Sequence, residues 1–446
     1  MISSISDGNR LLDRARALDA SGEPEAALDI LRQAAATGAA EAMAELGLWY
    51  VTGHGGKPAP VEGAHLVFQA AGNGHILAKL LAATLTAGGI GTPRDWSAAG
   101  HWLIEAACAR DPRACLQLGL LLPKSNEWRP MIQGLLAHAA LADLSAAHIA
   151  LAVQYLDHDT ADMNQLGLGL LVQALRLGNP VARDLLEKYR GQSWCPADLH
   201  SLDTVSDTLP VLERLDPDLL QWPHEQPLPP FKTLSDNPRA ISMPKLLTPV
   251  LCAHAAALGR PFLAPATVHD AEAGEIQDPT RTNAFANFYP LEADAVLQSI
   301  DWRLMQAGNS VSERPTCETG DILSMLYYQP GQRYRPHFDF FDPEFPAHRP
   351  HLQQNGQRRV TVLVSLNTGY TGGDTHFPHA KADIDSNEKT MQGNRGLSWR
   401  GAVGGSLIFV NVDENDRPDK ASLHEGLSPS QGEKWILSKW LRAGKS

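Results

Sequence analysis

Cysteine, positive charge and long apolar runs are all scarce in this 446-residue sequence. The five cysteines are scattered and odd in number, and without a Cys-x-x-Cys pair they predict neither a zinc site nor a redox motif. A net charge of −12 leaves no basic stripe, which argues against nucleic acid and anionic membranes as partners. No apolar run approaches the roughly 20 residues that span a bilayer, and no signal core opens the sequence, so we expect a cytoplasmic protein.

Alanine at helical spacing is abundant in the first 190 residues. Alanine pairs recur at an interval of 36 residues, and the interval then changes to 33 and 35. The pairs that keep the interval of 36 are Ala34-Ala35, Ala70-Ala71 and Ala106-Ala107. One unit predicts a helix over 41–50, a turn rich in glycine and proline over 53–58, and a second helix over 61–71. A generic helical bundle is the alternative, but the period favours an α-solenoid of helix-turn-helix repeats over 1–190.

The repeat pattern is similar to the SEL-one-like repeats, short relatives of the tetratricopeptide repeat. The similarity lies in a first helix of the form Ala-x-x-x-Leu-Gly-x-x-Tyr and in an Ala-Ala-x-x-Gly close. It implies a concave face that binds another protein.

Composition changes twice after residue 190. Scattered prolines over 191–240 predict a linker or wrapping segment. A short strand or turn, a helix from Thr248 and a helix over Leu291 to Ala307 are predicted next. Short β-branched or aromatic runs then predict strands over 322–328, 358–367, 405–412 and 434–442. The fold class is therefore α+β and multidomain, in which residues 241–446 form a jelly roll, or double-stranded β-helix, with helices packed outside.

The segment from Tyr328 to Asp339 contains the first candidate metal ligands. His337 and Asp339 are two residues apart, so an extended backbone would send both side chains to one face of a strand. A third candidate, His424, follows the predicted strand 405–412. Two histidines and one carboxylate leave three metal positions open, which is the arrangement of non-haem Fe(II) oxygenases. Rival ligands are His348, His351, His376 and His379.

Lys434 lies ten residues beyond His424, at the start of the last predicted strand. A dicarboxylate that chelates the metal through its 2-oxo acid end needs a cation for its far carboxylate. A lysine with a buried stem makes such a charge-assisted contact.

Five motifs now point to a family. They are Tyr328-x-x-Gly331-x-x-Tyr334-x-x-His337-x-Asp339, Arg358-x-x-Thr361, Gly372-Gly-Asp-Thr-x-Phe377, Gly405 to Phe409, and His424 with Lys434-Trp-x-x-x-Lys-Trp440. In this order they resemble the prolyl 4-hydroxylases of the Fe(II)/2-oxoglutarate dioxygenase superfamily, over about residues 242 to 442. Two departures concern the substrate more than the metal: Asp374 replaces the usual glutamate, and Pro429 lies one position late.

The resemblance implies cofactors and roles for particular residues. His337, Asp339 and His424 would hold Fe(II), and Lys434 would bind the distal carboxylate of 2-oxoglutarate. The cofactor-binding positions also include Tyr328 and Thr375, and the substrate-binding positions are Tyr334, Arg358 and Trp440. The implied reaction consumes O2, converts 2-oxoglutarate to succinate and carbon dioxide, and hydroxylates the substrate, with ascorbate as a further cofactor.

Three hypotheses about function follow. The first is a hydroxylase of peptidyl proline whose repeats recruit a protein target. The second keeps the oxygenase but changes the substrate to another side chain or a small molecule, since one fold supports many oxidations. The third is an interaction scaffold with an inactive jelly roll, although such a scaffold has no chemical need for His337, Asp339, His424 and Lys434 together.

Overall fold

The computed structural model describes residues 2–157, 161–189, 212–270, 274–290, 292–311, 317, 319–380, 396–413 and 415–443. Residues 191–211 of the predicted linker lie outside the described residues. The chain divides into two compact units. The first contains Met1–Leu144, Leu199–Trp222 and Tyr289–Ser299, and the second contains Ser145–Asp198, Pro223–Phe288 and Ile300–Ser446.

Helices fill the part of the chain in which the alanine period was found. They are α1 (Ile2–Ala20), α2 (Pro24–Ala36), α3 (Ala40–Thr52), α4 (Pro60–Gly72), α5 (Ile76–Gly88), α6 (Trp96–Cys108), α7 (Pro112–Leu121), α8 (Arg129–Leu141), α9 (Ser145–Leu156), α10 (Ala161–Arg176) and α11 (Pro180–Glu187). The starts of α3, α5, α7, α9 and α11 are separated by 36, 36, 33 and 35 residues. These are the intervals of the sequence pattern, so the predicted helix-turn-helix repeats are confirmed. None of the described helices combines the length and apolar composition that crossing a bilayer requires.

Small residues allow the paired helices of the first unit to approach closely. A Cβ atom added to Gly47 of α3 would lie 2.7 Å from the carbonyl oxygen of Gly63 in α4, and one added to Gly63 would lie 2.5 Å from that of Gly47. Neighbouring positions such as Ala42, Ala64 and Ala70 are almost completely buried. The alanine and glycine bias of the sequence is therefore explained by backbone contact between helices.

The last three of these helices belong to the second unit, together with the β-strands. Asn179, at the start of α11, donates from Nδ2 to the carbonyl of Ala253 in helix α12 (Pro249–Gly259) at 3.0 Å. Asp184 of α11 accepts hydrogen bonds from the backbone N–H and the hydroxyl of Thr368, both at 2.9 Å. Helix α11 is thus fixed to the β-rich part of its own unit by directed polar contacts as well as by packing.

Two further helices complete the described part of the second half. They are α13 (Ala295–Asn309) and α14 (Arg349–Asn355). The predicted helix from Leu291 to Ala307 therefore needs correction, because the observed helix begins at Ala295. Asp294 accepts a hydrogen bond from the backbone N–H of Leu297 at 2.8 Å, as a capping residue does at a helix start. Leu291 itself lies outside the described residues.

The strands have the following bounds. They are β1 (Lys232–Asp236), β2 (Arg239–Met243), β3 (Ala264–Pro265), β4 (Val268–Asp270), β5 (Gly274–Ile276), β6 (Ala284–Asn287), β7 (Thr319–Gly320), β8 (Ser324–Tyr328), β9 (Tyr334–His337), β10 (Arg358–Ser365), β11 (Tyr370–Gly372), β12 (Thr375–Phe377), β13 (Leu397–Trp399), β14 (Ser406–Val410), β15 (His424–Gly426), β16 (Pro429–Gly432) and β17 (Lys434–Arg442). All four predicted strands are present, and the last has the predicted bounds.

Two antiparallel sheets form the β-rich core. The larger, nine-stranded sheet has the order β1-β2-β14-β10-β17-β8-β6-β3, with β7 also paired to β17. The smaller has the order β13-β12-β15-β9. Phe377 of the smaller sheet contacts Phe409 of the larger edge to face, with ring centroids 5.0 Å apart. Apolar side chains of both sheets form one buried cluster, and its members Tyr328, Leu363 and Ile436 also line the cavity of the candidate active site.

The end of the segment predicted as a linker is part of the larger sheet. Strands β1 and β2 form a hairpin, and β2 pairs with β14. The prolines before the hairpin are held by the buried Arg303, whose guanidinium donates to the carbonyls of Pro223, Gln226 and Pro227 at 2.9, 2.5 and 3.0 Å. The prolines of this segment predicted that no central strand would form here. They lie before the hairpin or in its turn, so the hydrogen bonds between β1 and β2 remain intact.

Candidate active site

His337, Asp339 and His424 come together at the pairing of two short strands. His337 ends β9 and His424 begins β15, and the two residues are Cα partners in the antiparallel ladder. Asp339 follows β9 by two residues. Its carboxylate oxygens lie 3.7 Å from His337 Nε2 and 3.6 Å from His424 Nε2. The potential ligand atoms of all three residues lie within 4.8 Å of one another.

Backbone carbonyls set the orientation of both imidazoles. His337 Nδ1 lies 2.8 Å from the carbonyl oxygen of Arg335, and His424 Nδ1 lies 3.0 Å from that of Ser422. Because a carbonyl only accepts, each Nδ1 carries a proton, and in the neutral imidazole the lone pair is then on Nε2, the nitrogen that lies near Asp339. This is the tautomer that a metal ligand requires.

The carboxylate of Asp339 is oriented by a chain of two buried residues. The hydroxyl of Thr361 in β10 donates to Asp339 Oδ2 at 2.7 Å. That hydroxyl in turn accepts a hydrogen bond from Asn411 Nδ2 at 2.9 Å. Burial alone would raise the pKa of Asp339, but His424, His337 and Arg358 together lower it below the usual value.

Aromatic rings enclose the two histidines. The ring of Tyr334 stacks on that of His337 at 3.4 Å between centroids, and Phe377 and Phe409 lie 5.4 and 4.7 Å from the His424 ring. Burial is the largest cause that lowers the pKa of His337, and the nearby His424 is the second. A neutral His337 beside an ionised Asp339 is the protonation state in which both groups can bind a cation.

The three side chains fit an Fe(II) ion by their chemistry. Two imidazole Nε2 atoms and one carboxylate form the donor set of the 2-His-1-carboxylate oxygenases. Within the described ranges, no other group of three potential ligands meets in this way. His376 points its Nδ1 at the Ser398 hydroxyl, 2.9 Å away, and His348 and His351 pack against the Phe341 ring. The rival histidines therefore stay outside the cluster.

Lys434 lies in the same cavity as the three ligands and is 2% exposed. Its Nζ lies 5.0 Å from the ring centroid of Tyr328, its cross-strand neighbour, and Thr375 lines the cavity as well. Burial lowers the pKa of Lys434 to about 8, against an opposing effect of Asp374. Asp374 forms its ion pair with Arg400 instead, at 2.5 Å. Among the described residues no carboxylate forms an ion pair with this buried cation, which suits an anionic ligand, so the side chains present also fit 2-oxoglutarate.

The predicted substrate residues divide between two spaces. Tyr334 and Trp440 line the metal cavity, whereas Arg358 lines a second cleft of about 550 Å³, which shares Trp440 with the first. The Arg358 guanidinium lies 4.1 Å from the Trp440 ring centroid and is paired with Asp321 at 2.6 Å. Arg358 thus lies in the neighbouring cleft, where Asp321 partly neutralises its charge, and its contact with the substrate stays a prediction.

One charged residue of the cavity was missed by sequence reasoning. Arg281 lies 4.9 Å from the Tyr334 ring centroid and pairs with Tyr334 in an isolated β-bridge. It comes from a stretch without a periodic pattern, so nothing local indicated it. Thr361 was part of a quoted motif, but its contact with Asp339 requires the sheet register and could not be read from spacing.

Comparisons with known proteins agree with this geometry. Residues 323–442 match the model of the 2OG-Fe(II) oxygenase superfamily. Probable prolyl 4-hydroxylase 3 of Arabidopsis thaliana is 30% identical over 218 residues, which are 48% of this chain and 72% of that protein.

Two solved structures are each similar to a part of the chain. Viral collagen prolyl hydroxylase from Paramecium Bursaria Chlorella virus-1 has 22% identity and a TM-score of 0.34, covering 46% of this chain and 96% of that one. A Sel1 repeat protein from Oxalobacter formigenes has 26% identity and a TM-score of 0.33, covering 41% and 76%. Both TM-scores are below 0.5, so the family assignment depends on the sequence relatives.

The metal triad, the buried lysine and the superfamily match define a 2-oxoglutarate- and Fe(II)-dependent oxygenase. At the level of family, the chain belongs to the prolyl 4-hydroxylases. The prediction of an enzyme of this type is confirmed.

Proposed function

We propose that this protein hydroxylates a proline residue in a protein or peptide, with Fe(II) held by His337, Asp339 and His424. The observation that carries the proposal is the buried triad with both Nε2 atoms directed at one carboxylate, in a cavity that also contains Lys434. Relatives described as prolyl 4-hydroxylases support proline as the target. When bound, iron, 2-oxoglutarate and O2 supply the oxidation that converts a C–H bond to a hydroxyl and yields succinate and carbon dioxide.

Lys434 would anchor the distal carboxylate of 2-oxoglutarate. Its ammonium is charged below about pH 8, and burial removes the water that would otherwise compete for the carboxylate. Burial also raises the pKa of the Tyr328 hydroxyl, which therefore stays protonated and can donate to the same carboxylate. Thr375, 4% exposed and on β12, would add a second hydroxyl.

Tyr334, Arg281 and Trp440 would contact the target segment. They line the metal cavity, and Trp440 also faces the cleft that contains Arg358. A target that enters past Trp440 would place one residue at the metal and its neighbours in the cleft. Stacked rings and the guanidinium beside them suit a proline ring and its flanking peptide bonds.

The helical repeats would recruit or orient the protein target. Ascorbate would keep the iron reduced. The protein would act in the cytoplasm. The repeats support recruitment because stacked helix pairs create extended surfaces for binding. A fragment without α1–α8 should then lose turnover of a protein target more than turnover of a short peptide.

The proposed function is tested by incubating Fe(II)-loaded protein with 2-oxoglutarate, O2 and ascorbate, together with host-cell lysate or proline-containing peptides. Succinate release and a mass gain of one oxygen atom on a proline should appear with the wild type and be absent with His337→Ala. Oxygen found only on another type of residue, or on a small molecule, would contradict proline as the target but keep the oxygenase.

A further inference from the structure

From Lys434 to Trp440, strand β17 presents every second residue to the metal cavity. Lys434, Ile436, Ser438 and Trp440 all line it, as the two-residue period of a strand requires. Lys434 and Trp440 have places in the proposed function, and Ile436 is apolar. Ser438 is the remaining polar residue of this row, and no sequence motif indicates a task for it.

The hydroxyl of Ser438 is buried and has no hydrogen-bond partner among the described residues. Ser438 as a whole is 1% exposed. Its cross-strand neighbours do not satisfy it: Leu363 is apolar, and Ser324 donates its own hydroxyl to Asn287 Oδ1 at 2.6 Å. An unpaired buried hydroxyl lowers the stability of a fold, so alanine would be the more stabilising residue at this position.

Two more donors in the cavity share this condition. Trp440 Nε1 and Arg281 Nε are buried and lack partners within the described part of the chain. Both can only donate, and a serine hydroxyl can donate as well. Several unpaired donors around one cavity are complementary to an oxygen acceptor that a reactant brings.

We propose that Ser438 is a reactant-binding residue, whose hydroxyl donates, beside Trp440 Nε1, to an sp2 oxygen in the metal cavity. The inference rests on the proposed function, which brings two such oxygens there. One source is a carboxylate of 2-oxoglutarate, and the other is a backbone carbonyl of the target peptide.

The test compares three variants with the wild type. Ser438→Ala removes the hydroxyl, and Ser438→Thr retains one. Ser365→Ala is the matched control, because Ser365 is also completely buried in the large sheet but its hydroxyl donates to the Asn367 carbonyl at 2.9 Å. For each protein, three quantities are measured: the thermal midpoint without ligands, the Kd for 2-oxoglutarate in anaerobic Fe(II)-loaded protein, and KM for a peptide hydroxylated by the wild type.

Ser438→Ala should keep or raise the thermal midpoint, whereas Ser365→Ala should lower it. Loss of one hydrogen bond should weaken binding about tenfold in Ser438→Ala, with Ser438→Thr close to the wild type. A higher Kd for 2-oxoglutarate would identify its carboxylate as the partner of Ser438. An unchanged Kd with a higher KM for the peptide would identify the peptide carbonyl.

If Ser438→Ala has the wild-type Kd for 2-oxoglutarate and the wild-type KM for the peptide, the inference is overturned, whatever the thermal midpoint of the variant. If the wild type hydroxylates no proline peptide, the proposed function fails separately. The Kd for 2-oxoglutarate then decides on Ser438, and an unchanged value again overturns its role.

Discussion

Substitution of Thr361 should test how far the orientation of Asp339 determines the affinity for Fe(II). Thr361→Val keeps the shape of a fully buried side chain but removes the donor to Asp339 Oδ2. Because the Asp339 carboxylate is then no longer oriented, the protein should bind Fe(II) about 10- to 100-fold more weakly, which is the usual effect of losing a hydrogen-bond partner of a metal ligand. Anaerobic iron titration measures this affinity.

The control for Thr361 is a buried threonine far from metal ligands in the chain. Thr84 of α5 donates its hydroxyl to the Leu80 carbonyl at 3.0 Å, so Thr84→Val also loses a buried hydrogen bond. It should leave the iron affinity unchanged. Equal iron affinities for Thr361→Val and the wild type would show that Asp339 needs no such support.

Lys434 should make the binding of 2-oxoglutarate sensitive to alkaline pH. Its pKa in the free protein is lowered to about 8 by burial, so the ammonium is present below that pH and is lost above it. KM for 2-oxoglutarate should therefore rise as the pH passes above 8. In Lys434→Met, KM should be about 10- to 100-fold higher at neutral pH, as expected for a lost charge-assisted bond, and its rise above pH 8 should disappear.

Initial rates of succinate formation, measured from neutral pH to pH 9, give the KM for 2-oxoglutarate at each pH and so test this prediction. A wild-type KM that stays flat through pH 8 to 9 would mean that the bound carboxylate does not depend on the lysine charge. The same would follow if Lys434→Met retained the wild-type KM at neutral pH.

Residues that lie in a motif could be predicted from the sequence, and residues whose role depends on a distant strand could not. His337 and Asp339 are two residues apart, and His424 and Lys434 follow in family order, so spacing and resemblance were sufficient to single them out. The contact of Thr361 with Asp339 depends on the register between β10 and its neighbours. The burial of Ser438 depends likewise on what the sheet packs against, and a lone serine in a strand carries no signal of that.

At the scale of elements, the repeat helices depend on glycines at their crossing. Gly47→Ala would push a methyl group against the backbone of α4, so the first unit should lose roughly 1–3 kcal/mol of stability. Gly72→Ala is the matched control, because a Cβ there meets nothing within 4 Å. It should be neutral or slightly stabilising, since alanine is the better helix former.

Thermal or urea unfolding of the two variants measures the difference. The Kd for 2-oxoglutarate should remain that of the wild type in both, because the residues proposed to bind it lie in the second unit. A Gly47→Ala protein as stable as the wild type would show that α3 and α4 can separate without cost.

Long periodic elements were easier to predict than short ones. The period of alanine pairs gave the helix intervals, because close packing of helix pairs requires small residues at each repeat. Strand β17 is a nine-residue run, and its bounds could be read directly. The β1–β2 hairpin was overlooked, since two five-residue strands among prolines resemble a linker until their pairing with β14 is known.

At the scale of the whole molecule, ligands should stabilise one unit selectively. All three metal ligands and Lys434 belong to the second unit. Fe(II) with 2-oxoglutarate under anaerobic conditions should therefore raise the stability of that unit, by about 2.7 kcal/mol when 2-oxoglutarate is at 100 times its Kd. Differential scanning calorimetry with and without the ligands measures the shift.

His337→Ala removes a ligand from the metal site and provides the control for this stabilisation. It should abolish the shift caused by iron and 2-oxoglutarate. A shift of equal size in the wild type and in His337→Ala would mean that the ligands act elsewhere on the protein.

The pairing of His337 with His424 across β9 and β15 has a practical consequence for engineering this fold. Because successive side chains of a strand alternate between faces, a slip of one residue in this ladder would turn one imidazole away from the other. Only chains with the native register can then retain iron tightly. Iron retention after gel filtration could therefore serve as a selection for correctly folded members of a mutant library, before any substrate has been identified.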